Sequence, residues 1–209
     1  VGIAVIKLMS YLGYNVIANT DLCCSLPMLS SGEWDAAIVR SKKLINSLSR
    51  SLDLAEIIIS TSTSCSLTIK KKYSAYLNFT DPKSAQISQS TKDICEYILE
   101  KHTDLLAKRM KPIDKKIFYH GPCQLRSHGI GQPAVELLRL IPKISLSLSE
   151  AECCGIGGTY GYVKGRNEIS ELIGKSLSEQ ITFHKPDVIL CDSETCRWNI
   201  EKNSGIKTL

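Results

Sequence analysis

The sequence contains no apolar stretch approaching the ~18 residues that a membrane-crossing helix needs, so the chain itself is not expected to span a bilayer. It also lacks a concentrated basic face. Its 26 Lys and Arg against 21 Asp and Glu give a formal net charge of +5, spread along the chain. The one tight basic run, Lys70-Lys71-Lys72, reads as a solvated helix end or a patch facing an acidic partner. Nucleic acid is therefore not an expected partner. No secretory signal is visible: the apolar start is interrupted at Lys7, and no cleavage-type segment follows. There is no initiator Met, and Val5, Ile6, Met9 and Leu12 repeat at helical spacing from the outset. The chain thus reads as the C-terminal fragment of a longer protein.

Several site types are missing as well. A dinucleotide fingerprint beginning at Gly155 would need glycine where Tyr160 stands, and a phosphate loop ending at Gly174-Lys175-Ser176 would need glycine at Ile169. No Ser–His–Asp arrangement, paired carboxylates, or flavin or nicotinamide site is evident. No C-x-x-C pair is intact, although that is the usual knuckle of a zinc site.

What the chain has instead is cysteine. Nine are present, an odd number with two adjacent pairs, Cys23-Cys24 and Cys153-Cys154. That pattern is unlike a disulfide framework, and it points to a reducing, cytoplasmic setting in which thiols serve metals or redox chemistry.

The periodicities predict an α/β protein of two similar cysteine-rich halves, each with a small, mostly parallel sheet flanked by helices. The first half, 1–110, is expected to carry helices near 2–12, 33–52 and 91–109, and strands near 15–19, 57–59 and 75–79. The second half, 111–209, is expected to carry strands near 116–120, 144–148 and 188–190, with helices near 133–139 and 166–183.

The cysteines repeat with the halves. Cys65 follows Cys24 by 41 residues, and Cys196 follows Cys154 by 42. Each comes after an apolar strand and a short polar run, Ser62-Thr63-Ser64 or Ser193-Glu194-Thr195. Cys123 stands 30 residues before Cys153, and its counterpart in the first half would fall before Val1.

Iron–sulfur clusters need soft thiolates, and loops at the carboxyl ends of parallel strands can bring them together. Cys123, Cys153, Cys154 and Cys196 are the candidate ligands of the second half, and Cys23, Cys24 and Cys65 those of the first. Zinc on the same four thiolates is the competing reading. Glycines after Cys153-Cys154 allow the sharp bend that lets adjacent thiols reach one center, and let backbone N–H groups approach sulfur. His120 is a candidate ligand, a tuning group or a hydrogen-bonded neighbour. Cys95, on a predicted helix, reads as a buried structural thiol.

The stretches Tyr119-His120-Gly121-Pro122-Cys123, Glu136-Leu137-Leu138-Arg139, Cys153-Cys154-Gly155-Ile156-Gly157-Gly158-Thr159-Tyr160-Gly161-Tyr162 and Cys196-Arg197-Trp198-Asn199-Ile200-Glu201 resemble the cysteine-rich CCG domain. This domain occurs in duplicate in redox subunits of heterodisulfide reductase, glycolate oxidase and lactate-utilisation systems. The stretches also resemble the cysteine-rich subunit of anaerobic glycerol-3-phosphate dehydrogenases. The resemblance implies an electron-transfer subunit with an iron–sulfur cluster, [4Fe–4S] in the simplest case. Such a subunit takes electrons from flavin-containing catalytic subunits and passes them toward membrane quinone, peripheral on the inner face of the cell membrane. Full-length members of that group carry a ferredoxin-like segment that has no counterpart here.

Two positions depart from the pattern. The family's last motif is usually C-x-x-C, and here Ser193 takes the place of its first cysteine, with Cys191 two residues earlier as a possible substitute. In related heterodisulfide reductase domains five cysteines hold a non-cubane cluster. In the first half Ser25 stands where the glycine follows the paired cysteines.

Overall fold

Two parallel sheets, each too small to stand alone, are each buried by helices drawn from their own part of the chain. The computed structural model describes residues 1–20 and 22–209. The chain divides into a unit of Val1–Ile94 and a unit of Cys95–Leu209. This division falls at the start of the helix expected near 91–109, whereas the sequence-based boundary near residue 110 follows that helix.

The first unit runs α1 (Gly2–Tyr11), α2 (Leu26–Ser31), α3 (Trp34–Leu52), β1 (Ile58–Ser60), α4 (Thr63–Leu67), a π-helical turn (Thr68–Lys72), α5 (Tyr73–Leu77), α6 (Pro82–Ser90) and β2 (Thr91–Asp93). β1 and β2 pair in parallel, with Ile58 opposite Thr91 and Ser60 opposite Asp93. The core forms where the apolar stripe of α3 (Leu44, Ile45, Leu48) meets Ile69, Tyr73, Leu77 and Ile87, and Cys24 is part of it. The stripe repeats at i, i+1 and i+4, the spacing that keeps one helical face inward.

Several local expectations are corrected here. Residues 15–19 form no strand: Val16 and Ile17 are exposed, and among the described residues no strand pairs with them. Residues 75–79 are mostly helical rather than extended, because Tyr73 and Leu77, four apart, both bury against the core. The segment near 91–109 begins as strand β2 before turning helical. Lys70–Lys72 form the last turn of the π-helical segment, which runs directly into α5.

The second unit runs α7 (Ile94–Arg109, beginning at the unit boundary), β3 (Lys116–Tyr119), α8 (Cys123–His128), α9 (Pro133–Arg139), β4 (Ser145–Leu148), a 3₁₀ turn (Tyr160–Tyr162), α10 (Asn167–His184), β5 (Val188–Leu190) and α11 (Glu194–Ser204). β3 is central, flanked in parallel by β4 and β5. Its residues Ile117, Phe118 and Tyr119 are buried on both faces, as the middle strand of a covered parallel sheet requires. The last residues run beside β5, with Cys191 N–H donating to Leu209 O at 3.0 Å. Phe118, Leu177, Ile181, Ile189 and Ile200 form one core; Tyr119, Leu125 and Val135 form another, against which Cys95 packs. Among the described residues, no helix is long and apolar enough to cross a membrane.

Candidate metal centre

All three strands of the second unit's sheet end at the same edge, and the thiols lie just beyond it. β3 leads through His120-Gly121-Pro122 to Cys123 at the start of α8, β4 leads to Cys153-Cys154, and β5 leads to Cys191 and then to Cys196 in α11. The strand ends are tied together, with Ser149 N–H donating to Tyr119 O (2.8 Å) and His120 N–H to Leu190 O (3.0 Å).

The thiols interact in a row. Cys123 contacts Cys153, Cys153 contacts Cys154, Cys154 contacts Cys196, and Cys196 contacts Cys191. Ser193, the residue in the family's cysteine position, also hydrogen-bonds Cys196. Cys191 is 8% exposed and directed at the row, so the two-residue shift noted in the sequence does not turn it away. Among the described residues, no three His, Cys, Asp or Glu side chains are arranged around a single ion. A row of four or five thiols fits a sulfide-bridged centre, in which each iron takes its own thiolate.

The electrostatics are uneven along the row. Thiol hydrogen bonds from Cys123 and then Cys154, with the Gly155 N–H at 3.3 Å, hold Cys153 well below the usual thiol range. Its partner Cys123 is pushed up by the same contact and by burial. Cys154 is raised by its contacts with Cys153 and Cys196 and by burial. At Cys196 the Cys154 contact lowers the pKa, but the Cys191 contact and burial outweigh it and leave the thiol at about 12. Cys153 is thus the thiol that most readily carries negative charge. Cys196 is the third residue of α11, where the positive end of the helix favours a thiolate once a cation is present.

The loop after Cys154 is fixed by close approach to α10. Gly155 has φ +90°, and a Cβ there would lie 2.0 Å from the Ser170 carbonyl oxygen; a Cβ on Gly174 would lie 2.6 Å from the Cys154 carbonyl oxygen. That carbonyl accepts a hydrogen bond from Asn199 Nδ2 at 2.8 Å. Arg126 donates to the carbonyl of Glu152 on the other side of the pair. Nearby, Tyr119 donates to Asp192 at 2.5 Å beside Cys191.

The first unit repeats the arrangement with three thiols. Cys23 contacts Cys24, and Cys24 Sγ lies 3.1 Å from Cys65 Sγ. The Ser25 N–H donates to Cys23 Sγ at 3.4 Å, matching Gly155 and Cys153. Cys65 is the third residue of α4, as Cys196 is of α11. The Cys24 carbonyl accepts from Tyr73 at 2.9 Å, the task that Asn199 performs in the second unit. At Cys24 the Cys23 contact lowers the pKa, while Cys65 and burial outweigh it and raise it to about 12. Ser25 adopts φ 66°, the conformation its glycine counterpart takes without strain. The serine therefore preserves the bend.

Sequence reasoning missed Asn199, Tyr73, Asp192 and the roles of Ser170 and Gly174. Gly174 inside a long helical pattern was the one available signal, since an interior helical glycine often marks a close approach.

Comparison with known proteins agrees with this duplicated design. The model of the cysteine-rich domain family, CCG, matches residues 1–70 and 117–201. A subunit of anaerobic glycerol-3-phosphate dehydrogenase from Escherichia coli is 31% identical over 97% of this chain and 51% of its own length. A subunit of fumarate reductase (CoM/CoB) from Methanothermobacter marburgensis is 28% identical over 96% of this chain and 38% of its own length. Lactate utilization protein A of Bacillus licheniformis is 27% identical over 99% of this chain and 86% of its own length. The chain spans about half the length of the glycerol-3-phosphate dehydrogenase subunit.

Proposed function

The chain belongs to the cysteine-rich CCG domain family, and from that membership we propose that it is an iron–sulfur electron-transfer subunit of an oxidoreductase complex. The complex is anaerobic glycerol-3-phosphate dehydrogenase, the relative with 31% identity over nearly the whole chain. The observation that carries the proposal is the row of five buried or half-buried thiols beyond one sheet edge. A Methanocaldococcus jannaschii relative, 29% identical, is described as an iron–sulfur protein, which supports the same chemistry.

In this reading Cys123, Cys153, Cys154 and Cys196 hold the centre, and Cys191 supplies a fifth thiolate in place of the family's cysteine at Ser193. Cys23, Cys24 and Cys65 hold a second centre. When bound, an iron–sulfur cluster stores and releases single electrons at a potential set by charge, burial and hydrogen bonds to sulfur. The chain's residues do the rest. The Gly155 and Ser25 N–H groups face sulfur and favour the reduced state. The Asn199 and Tyr73 hydrogen bonds fix the paired-cysteine loops. Burial of Cys154 and Cys196 keeps water from them. Electrons arrive from flavin-containing catalytic subunits and continue to membrane quinone, with the protein peripheral on the inner face of the cell membrane.

Iron and acid-labile sulfide are expected in near-equal amounts after anaerobic purification, with an EPR signal on reduction. Cys153→Ser is expected to remove the second unit's share of both while circular dichroism stays unchanged. Stoichiometric zinc without sulfide would replace this reading with a zinc-stabilised docking module.

A further inference from the structure

His120 is a buried polar group of the second unit that the thiol row does not account for. Its side chain is fully buried. It sits at the carboxyl end of β3, three residues before Cys123, and within electrostatic range of Cys153. One ring nitrogen is engaged: Nδ1 lies 3.1 Å from Ser149 Oγ. The other, Nε2, has no hydrogen-bond partner among the described residues. A buried nitrogen without a partner is costly to leave unpaired, so a side chain placed this way calls for an explanation.

The Ser149 hydroxyl is placed to set the ring's tautomer. Its oxygen already accepts the Ala151 N–H at 3.1 Å, and its own proton is then available to donate to Nδ1. With that proton donated, Nδ1 is the acceptor and the ring proton lies on Nε2. In that tautomer the orphan is an N–H donor with no partner among the described residues, on a ring close enough to Cys153 to feel its charge.

We propose that His120 is a positioning and tuning residue whose Nε2–H donates a hydrogen bond to sulfur of the bound centre, raising its reduction potential. The inference rests on the iron–sulfur reading above. A donor aimed at sulfur stabilises the extra negative charge of the reduced state, as backbone N–H groups do. The relay is Ala151 N–H to Ser149, Ser149 to His120, and His120 to sulfur. It links the loop before Cys153 to the strand end before Cys123, so the imidazole is oriented from both sides.

The test uses anaerobically purified protein and compares His120→Leu with His120→Gln, whose amide can place a donor near the Nε2 position. The reduction potential is read by EPR-monitored titration, and iron and sulfide are measured for each variant. His120→Leu is expected to keep its iron and shift the potential down, and His120→Gln to stay near wild type. As a second readout, pulsed EPR of reduced protein carrying nitrogen-15 histidine is expected to show one weakly coupled nitrogen that His120→Gln removes. This readout stands even if His120→Leu fails to assemble. An unchanged potential in iron-replete His120→Leu overturns the inference and leaves the iron–sulfur reading intact. A strong coupling of the kind an iron-bound nitrogen gives, or no coupling at all, overturns it too. Absence of iron and sulfide from the wild-type protein takes down both.

Discussion

Gly155 and Ser25 occupy equivalent places after the two cysteine pairs, and they meet the same backbone demand with different chemistry. Both have positive φ, +90° and 66°, and both donate their N–H to the first thiol of the pair. Left-handed backbone costs a non-glycine residue about 1 kcal/mol. At Ser25 the hydroxyl is also fully buried without a hydrogen-bond partner among the described residues, which adds about 1–3 kcal/mol. Glycine relieves both, less the greater freedom it gives the unfolded chain. Ser25→Gly should therefore stabilise the metal-free protein by about 1 kcal/mol. The reciprocal change, Gly155→Ala, meets the φ penalty and a Cβ 2.0 Å from the Ser170 oxygen. It should destabilise by about 2–4 kcal/mol. Urea denaturation of the two variants checks both signs, and two shifts in the same direction would contradict the argument.

Helix α10 shows a local preference overruled by packing. Alanine for an interior helical glycine ordinarily gains about 1 kcal/mol. At Gly174 the new Cβ would stand 2.6 Å from the Cys154 carbonyl oxygen, a backbone atom already held by Asn199. Relieving that overlap costs about 1–3 kcal/mol, so Gly174→Ala is expected to be destabilising by about 1 kcal/mol net. A higher melting temperature in this variant would mean that α10 and the paired-cysteine loop are not in contact. At the start of α6, the Ser84 hydroxyl and N–H donate to Asp81 (2.6 and 3.1 Å) and hold its carboxyl below its ordinary 3.8. A folded-state pKa below the unfolded one stabilises fully above the unfolded value and loses that contribution as pH falls through the folded one. The gap in urea midpoint between wild type and Asp81→Ala should be constant above about pH 5 and close below 3.8.

The elements that were legible in the sequence are those whose burial is apolar. α3 shows itself through Leu44, Ile45 and Leu48, and β3 and β5 through continuous hydrophobic runs. β2 was hidden because Thr91-Lys92-Asp93 has no apolar residue: Thr91 and Asp93 are buried, and Asp93 accepts from Thr63 (3.0 Å) and Ser66 (3.4 Å). A strand buried by polar satisfaction carries no period-2 hydrophobic signal. Val16-Ile17 is a β-branched apolar pair that suggests a strand, but among the described residues no strand pairs with it. The candidate thiols were legible by count and spacing. Asn199 and Tyr73 were not, because they serve one role from different helical positions and share no sequence pattern.

For the whole molecule, duplication sets how the two thiol groups should respond to change. Cys23, Cys24 and Cys65 all lie within Val1–Ile94, while Cys123, Cys153, Cys154, Cys191 and Cys196 all lie within Cys95–Leu209. Each group is backed by a core of its own unit, one including Cys24 and the other Cys154 and Cys196. Changes at sites that share no partners add without coupling. Replacing Cys23, Cys24 and Cys65 together by Ser should lower the iron content and leave the EPR signal and potential of the second centre where they were. Cys153→Ser should do the converse. Because metal binding is folding free energy for its own unit, removing iron with a chelator should lower the melting temperature of the wild type. In the triple variant, where only the second unit is loaded, it should lower it less. If either substitution abolishes both signals, the thiols of the two units serve one shared centre, and the reading of two self-contained domains fails with it.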